Sequence, residues 1–154
     1  MKIPTTMQPP SSSFWKVIAG AAVIAVIVVG SGCAGLSQRP AAGSFASVQR
    51  VIESNCVHCH GTNRLAHMPA FTDSAALAGL IGPNKWIVPG QPERSRFFHV
   101  VIYADAHPAA MPPTGHAVSG SDIEKLRAWI AAGAPLPEGT PVVLKPQGKA
   151  PRSR

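Results

Sequence analysis

Apolar residues are distributed unevenly along the chain. Val17 to Val29 is an unbroken run of Val, Ile and Ala with one Gly, flanked by Lys16 on one side and Gly30-Ser31-Gly32-Cys33 on the other. That run is long for a core strand and short of the ~20 apolar residues a spanning helix needs. Further on the pattern takes on helical period. Phe45, Val48, Val51 and Ile52 recur at i, i+3, i+6 and i+7, which predicts a helix capped by Ser44 and running to about Asn55. From Gly61 to Pro92 glycines and prolines interrupt the chain, leaving room for a turn or two of helix at 74–80. A second clear helix is expected over 93–103, with Pro92 at its first turn. Residues 104–118 read as a loop. Ser121-Asp122-Ile123-Glu124 then reads as a capping box, and Ile123, Leu126, Trp129 and Ile130 form the apolar face of a last helix closed by Gly133. No strand period appears, so the expected fold class is all-α. Pro135–Arg154 holds five prolines, four basic residues and one acid, the composition of a disordered tail.

The first apolar run suits the h-region of an export signal with Lys16 on its positive side. The small residues ending in Cys33 resemble the lipobox of bacterial lipoproteins, which implies cleavage before Cys33 and lipidation of its thiol. Gly30 stands where that pattern usually has Leu. An uncleaved anchor from Phe14 to Leu36, with Lys16 snorkelling, is the alternative, and a plain cleaved signal is a third. Each one exports the remainder, to the periplasmic side of a bacterial membrane. The expected organisation is an export or anchor segment over 1–33, a linker over 34–43, a domain over 44–134 and the tail over 135–154.

The formal charge of +7 and pI of about 9.9 invite a nucleic-acid reading. No two Lys or Arg are adjacent, however, and only 14% of residues are charged, so counterion-release binding has little to work with. Residues 34–134 carry 8 basic and 6 acidic residues, so the excess charge belongs to the two ends of the chain.

Cys56-Val57-His58-Cys59-His60 is C-x-x-C-H, the attachment signature of c-type haem. The spacing has a mechanical reason: two thiols one helical turn apart can add across the two haem vinyl groups, and the following His60 then lies beneath the iron as proximal ligand. A thioredoxin-type dithiol would want a βαβ context, and half a zinc site would want a second ligand pair; the sequence has neither. The opposite axial ligand should lie far along the chain. Met111, in Met111-Pro112-Pro113, is 51 residues beyond His60 on a stretch stiffened by proline, whereas Met68 is only eight residues beyond it. His107 is the alternative, and bis-His ligation would lower the potential. Phe45, Phe71, Trp86, Phe97, Ile102 and Trp129 are expected around the porphyrin. Trp86, Lys85 and Arg64 are candidates for its propionates. A backbone carbonyl near Pro69 or Pro83 is expected to orient His60 through its second ring nitrogen.

The segment from Cys56 to Pro135 resembles the small class I cytochrome c domains of bacteria, and its later part resembles the planctomycete-type group. The residues carrying the resemblance are Cys56-Val57-His58-Cys59-His60-Gly61, Val88-Pro89-Gly90-Gln91-Pro92-Glu93 with Ser95, Met111-Pro112-Pro113-Thr114-Gly115 and Trp129-Ile130-Ala131-Ala132-Gly133-Ala134. Arg96-Phe97-Phe98 departs from it, because that group tends to have small aliphatic residues after the serine. The resemblance implies a few-helix fold around one covalently attached haem c, with the first and last helices crossing beside it. It also implies Cys56 and Cys59 as attachment points, His60 as proximal ligand and Met111 as distal ligand. With both axial positions filled, the expected activity is one-electron transfer by a membrane-tethered carrier, or by the cytochrome subunit of a larger oxidoreductase. The expected partners are redox proteins and the membrane, with neither nucleic acid nor a small-molecule substrate. A gas sensor or peroxidase-like enzyme with a displaceable Met111 is the alternative.

Overall fold

The computed structural model describes residues 39–113 and 117–148. The chain divides into Met1–Leu36 and Ser37–Arg154. The first unit lies wholly outside the described residues, and with it the export segment and Cys33. Among the described residues no helix is long and apolar enough to cross a membrane.

The described residues of the second unit form five helices, α1 (Phe45–Asn55), α2 (Val57–His60), α3 (Ser74–Ala78), α4 (Arg96–Ile102) and α5 (Gly120–Ala131), with a 3-10 turn at Pro92–Arg94. Strand-like pairing among the described residues is limited to two isolated bridges, Asp73 with Val143 and Ile81 with Ile87. The all-α expectation therefore describes this unit.

Helix α1 buries the face its period marks, Phe45, Val48, Val51 and Ile52, and packs on α5. Opposite it α5 contributes Leu126, Trp129 and Ile130, all nearly or fully buried. The two helices approach closely at Gly43, which is itself buried although the sequence places it in the linker. Ser44 precedes α1 but does not cap it; its hydroxyl donates to the Ala41 carbonyl at 2.7 Å in the turn before the helix.

Helix ends elsewhere differ from expectation for identifiable reasons. The expected helix over 93–103 is broken at Ser95, whose backbone turns extended (φ −88°, ψ 113°). Ser95 is fully buried; its hydroxyl accepts from Val88 N–H at 2.9 Å and donates to the Gln91 carbonyl at 2.9 Å. A serine that competes for backbone groups in this way favours a break over a continuous helix. Helix α5 starts earlier than the capping box suggested, because Ser119, not Ser121, accepts from Asp122 N–H at 3.2 Å. Its far end matches the expectation. Gly133 (φ +96°) and Ala134 return bonds to the carbonyls of Ile130 and Trp129, the paired bonds of a Schellman motif. Short helix α3 is capped by Asp73, which accepts from Ala76 N–H at 2.7 Å.

The largest correction concerns the tail. Residues 135–148 follow a fixed extended path back across the domain. Trp129 donates its indole N–H to the Pro135 carbonyl at 2.8 Å. Ser74 and Val142 exchange two bonds, Ser74 N–H to Val142 O at 2.9 Å and Val142 N–H to Ser74 Oγ at 3.0 Å. Leu144 N–H reaches the Thr72 carbonyl at 2.9 Å, and the Leu144 side chain joins the core at 4% exposure. Burial of one such leucine contributes about 2 kcal/mol. Leu136 and Val142 pack against the same cluster. Composition read this stretch as polar and proline-rich, but extended proline-rich chain loses little entropy on ordering, and three apolar side chains suffice to seat it.

Candidate functional site

Helix α1 and α2 are almost continuous. Cys56 keeps an α-helical backbone (φ −117°, ψ −44°), donates to the Ile52 carbonyl and accepts from His60 N–H at 2.9 Å. The C-x-x-C-H stretch is thus held as one rigid turn on the end of a packed helix. Gly61 then ends it, where a Cβ would fall 2.6 Å from the Val57 carbonyl oxygen.

This turn forms one wall of a cavity of about 660 Å³. Cys56, Cys59, His60 and Met111 all line it, although 51 residues separate the last two in sequence. Phe71, Trp86 and Phe97 complete much of its apolar surface, and Val100 and Val101 of α4 face it as well. Four expectations need correction here. Ile102 is 47% exposed, because the turn of α4 that faces the cavity carries Val100 and Val101 instead. Phe45 and Trp129 are buried where α1 packs on α5 and do not line the cavity. Lys85 does not line it either, its aliphatic stem lying near Gly82. Arg96 does line it: its guanidinium sits 4.4 Å from the centre of the Trp86 ring.

His60 Nδ1 lies 2.9 Å from the Pro69 carbonyl, which selects Pro69 over Pro83. A carbonyl can only accept, so Nδ1 carries the proton and Nε2 is left with its lone pair. Phe71 packs at 5.0 Å, centroid to centroid, on the same imidazole, and Phe71 N–H donates to the His60 carbonyl. Met111 is fixed through its backbone, whose N–H donates to the Val100 carbonyl at 2.7 Å; the Met111–Pro112 peptide is cis. Met68 and His67 also line the cavity. His107 does not; it stacks on Tyr103 at 4.0 Å and accepts from Ala109 N–H. His116 lies outside the described residues.

Both cysteines are free. Desolvation, and then the neighbouring Cys59, push the Cys56 thiol up to about 12. A thiol held protonated is a poor attacking group in disulfide exchange. Among the described residues no group of three or more His, Cys, Asp or Glu side chains gathers as a bare metal ion would require. The donor set instead suits a flat, largely apolar group that brings its own metal. It offers two thiols one turn apart, one imidazole with a free nitrogen, one thioether and an apolar cavity of cofactor size. Haem fits these residues.

Arg96 and Asn55 are cavity residues that sequence reasoning missed. Arg96 carried a usable signal in the sequence, as the charged residue in the Arg96-Phe97-Phe98 stretch that departs from the expected resemblance. Asn55 carried none.

The family model described as cytochrome C oxidase, cbb3-type, subunit III matches residues 43–130. No curated protein and no solved structure matches the chain.

Proposed function

The chain belongs to the cytochrome c oxidase, cbb3-type, subunit III family, and on that premise we propose that it is a membrane-tethered carrier with one covalent haem c, working outside the cytoplasm. The observation that carries this reading is the convergence of Cys56, Cys59, His60 and Met111 on one cavity, with His60 oriented by Pro69. When bound, the haem iron supplies a one-electron couple between its ferric and ferrous states.

The chain's residues divide the remaining work. Cys56 and Cys59, one turn apart on the cavity wall, would hold the group covalently through their thiols, as thioethers to its vinyl substituents. His60 would hold the iron through Nε2, while its Nδ1–H bond to the Pro69 carbonyl fixes the tautomer and raises the basicity of the ring. Met111 brings its thioether from a segment tied to α4 through Val100. A thioether ligand beside His60 would favour a higher potential than a second imidazole. Phe71, Trp86, Phe97 and Val100 line the cavity with apolar surface that would keep water from the bound group. Arg64 and Arg96 on the cavity wall offer guanidinium groups for the two propionates.

Loaded with haem, the chain would take one electron from a reduced donor protein and pass it to an oxidised acceptor. The acceptor is either a separate partner or another subunit of an oxidase assembly. Lipid on Cys33 or an uncleaved apolar segment supplies the tether.

The deciding experiment uses full-length protein produced with haem-maturation machinery. Acid-acetone extraction should leave it red, and its pyridine haemochrome should give one haem per chain. A colourless protein after extraction overturns the reading.

A further inference from the structure

The strap over 135–148 makes its polar contacts on two sides of the site. On one side Gln147 is the hub: its side-chain amide donates to Glu53 Oε2 at 2.7 Å and its backbone N–H to the Glu53 carbonyl at 3.1 Å. The Gln147 carbonyl accepts from His58 Nε2 at 2.9 Å, inside the C-x-x-C-H turn. On the other side Val142 and Leu144 bond to Ser74 and Thr72. The first group of contacts holds α1 and α2, which carry His60. The second holds the segment that follows Pro69, whose carbonyl is the partner of His60 Nδ1.

We propose that the strap is a positioning device for His60, clamping together the two segments whose separation sets the His60–Pro69 hydrogen bond. The proposal rests on the reading of His60 as the proximal ligand of a haem.

Two further observations support it. Glu53 is only 4% exposed, yet its carboxylate is held by the amides of Gln49 and Gln147 and the backbone N–H of Lys145, and neither ion pair among the described residues involves it. Burying a carboxylate without a cation is costly unless donors surround it, and the strap supplies two of the three donors to Glu53. The strap also lies entirely beyond residues 43–130, so it is an addition to the part of the chain that the family model matches.

The consequence has a sign. A hydrogen-bonded imidazole is a stronger donor and favours the ferric state, so the clamp lowers the midpoint potential. Loosening it weakens the Nδ1–H bond and raises the midpoint.

The test compares full-length holoprotein with Gln147→Ala and Ser74→Ala, one substitution for each side of the clamp. Arg127→Gln, which breaks a surface ion pair with Glu93 remote from the strap, is the control. Three quantities are measured: the midpoint potential, the solvent exchange of the His60 ring N–H by proton NMR of the oxidised protein, and the thermal midpoint. Both strap variants should raise the potential and speed exchange about fivefold, the scale expected for losing one hydrogen bond. The control should move neither. Lower thermal stability in both strap variants, with potential and exchange unchanged, would make the strap merely structural and overturn the proposal. If the wild-type holoprotein shows no hyperfine-shifted His60 ring proton, the ligand assignment itself fails and the proposal falls with it. Should one variant yield no red protein, the other decides between these outcomes.

Discussion

Gly43 and Ala132 meet so closely that a Cβ on Gly43 would stand 3.0 Å from the Cβ of Ala132 and 3.3 Å from the Ala128 carbonyl oxygen. Gly43 also has φ +79°, a region that a side chain disfavours. This contact brings the start of α1 against the end of α5 and sets the spacing of the helix pair behind the cavity. Gly43→Ala should therefore destabilise the holoprotein by about 1–3 kcal/mol through overpacking and backbone strain. Thermal unfolding followed by haem absorbance checks it, with a drop of about 4–8 °C per kcal/mol for a domain of this size. An unchanged midpoint would mean that the helix pair can separate freely at this end.

The second prediction concerns the distal side. Met111→Ala should abolish the long-wavelength iron–sulfur band of the oxidised protein and lower the potential. Survival of the band in Met111→Ala, with its loss in Met68→Ala, would transfer the role to Met68, which lines the same cavity. His107→Ala should leave the band in place, since His107 is engaged with Tyr103 and Ala109.

Ser95 provides a stability test independent of haem ligation. Its hydroxyl satisfies the Val88 N–H in a fully buried setting. Ser95→Ala leaves that donor unpaired and should cost about 1–3 kcal/mol. Urea unfolding gives the value, and a loss below a few tenths of a kcal/mol would show that water replaces the hydroxyl.

The ion pair between Glu93 and Arg127 has a definite pH signature. The hydrogen bond from Arg127 holds the Glu93 carboxyl below its usual 4.5. A lowered carboxyl pKa stabilises the fold above the unfolded value, and that contribution disappears as pH falls through the lower folded value. Arg127 is shifted upward by the same partner, so its contribution is lost only at strongly alkaline pH. Both groups are fully exposed, and the effect is small. Glu93→Gln should be slightly less stable than wild type at neutral pH and low salt. The difference should vanish in acid and shrink at high salt. A difference that persists unchanged in acid would mean that packing, not charge, links the 3-10 turn to α5.

Much of this architecture is written locally. The period of Phe45, Val48, Val51 and Ile52 specifies α1, and Gly133 specifies the end of α5, because helix amphipathicity and left-handed caps are properties of a few neighbouring residues. Chemistry was legible for the same reason: Cys56, Cys59 and His60 fall within five residues, and the proposed haem attachment requires that spacing. Where local signals competed, the sequence misled. Ser121 and Glu124 fit a capping box, yet Ser119 caps α5. Residues 93–103 have helical composition, yet Ser95 finds better partners in Val88 and Gln91.

The sequence by itself determined the class of fold, the haem-type motif and the choice of Met111 as the residue to test. Tertiary structure alone decided that Pro69 orients His60, that Arg96 stacks on Trp86 at the cavity wall, and that residues 135–148 return as a strap anchored on Glu53 and Ser74. The difference is physical. Helical period and motif spacing depend on neighbours within one or two turns, whereas the buried Glu53 carboxylate and the extended strap draw most of their partners from about 70 to 94 positions away.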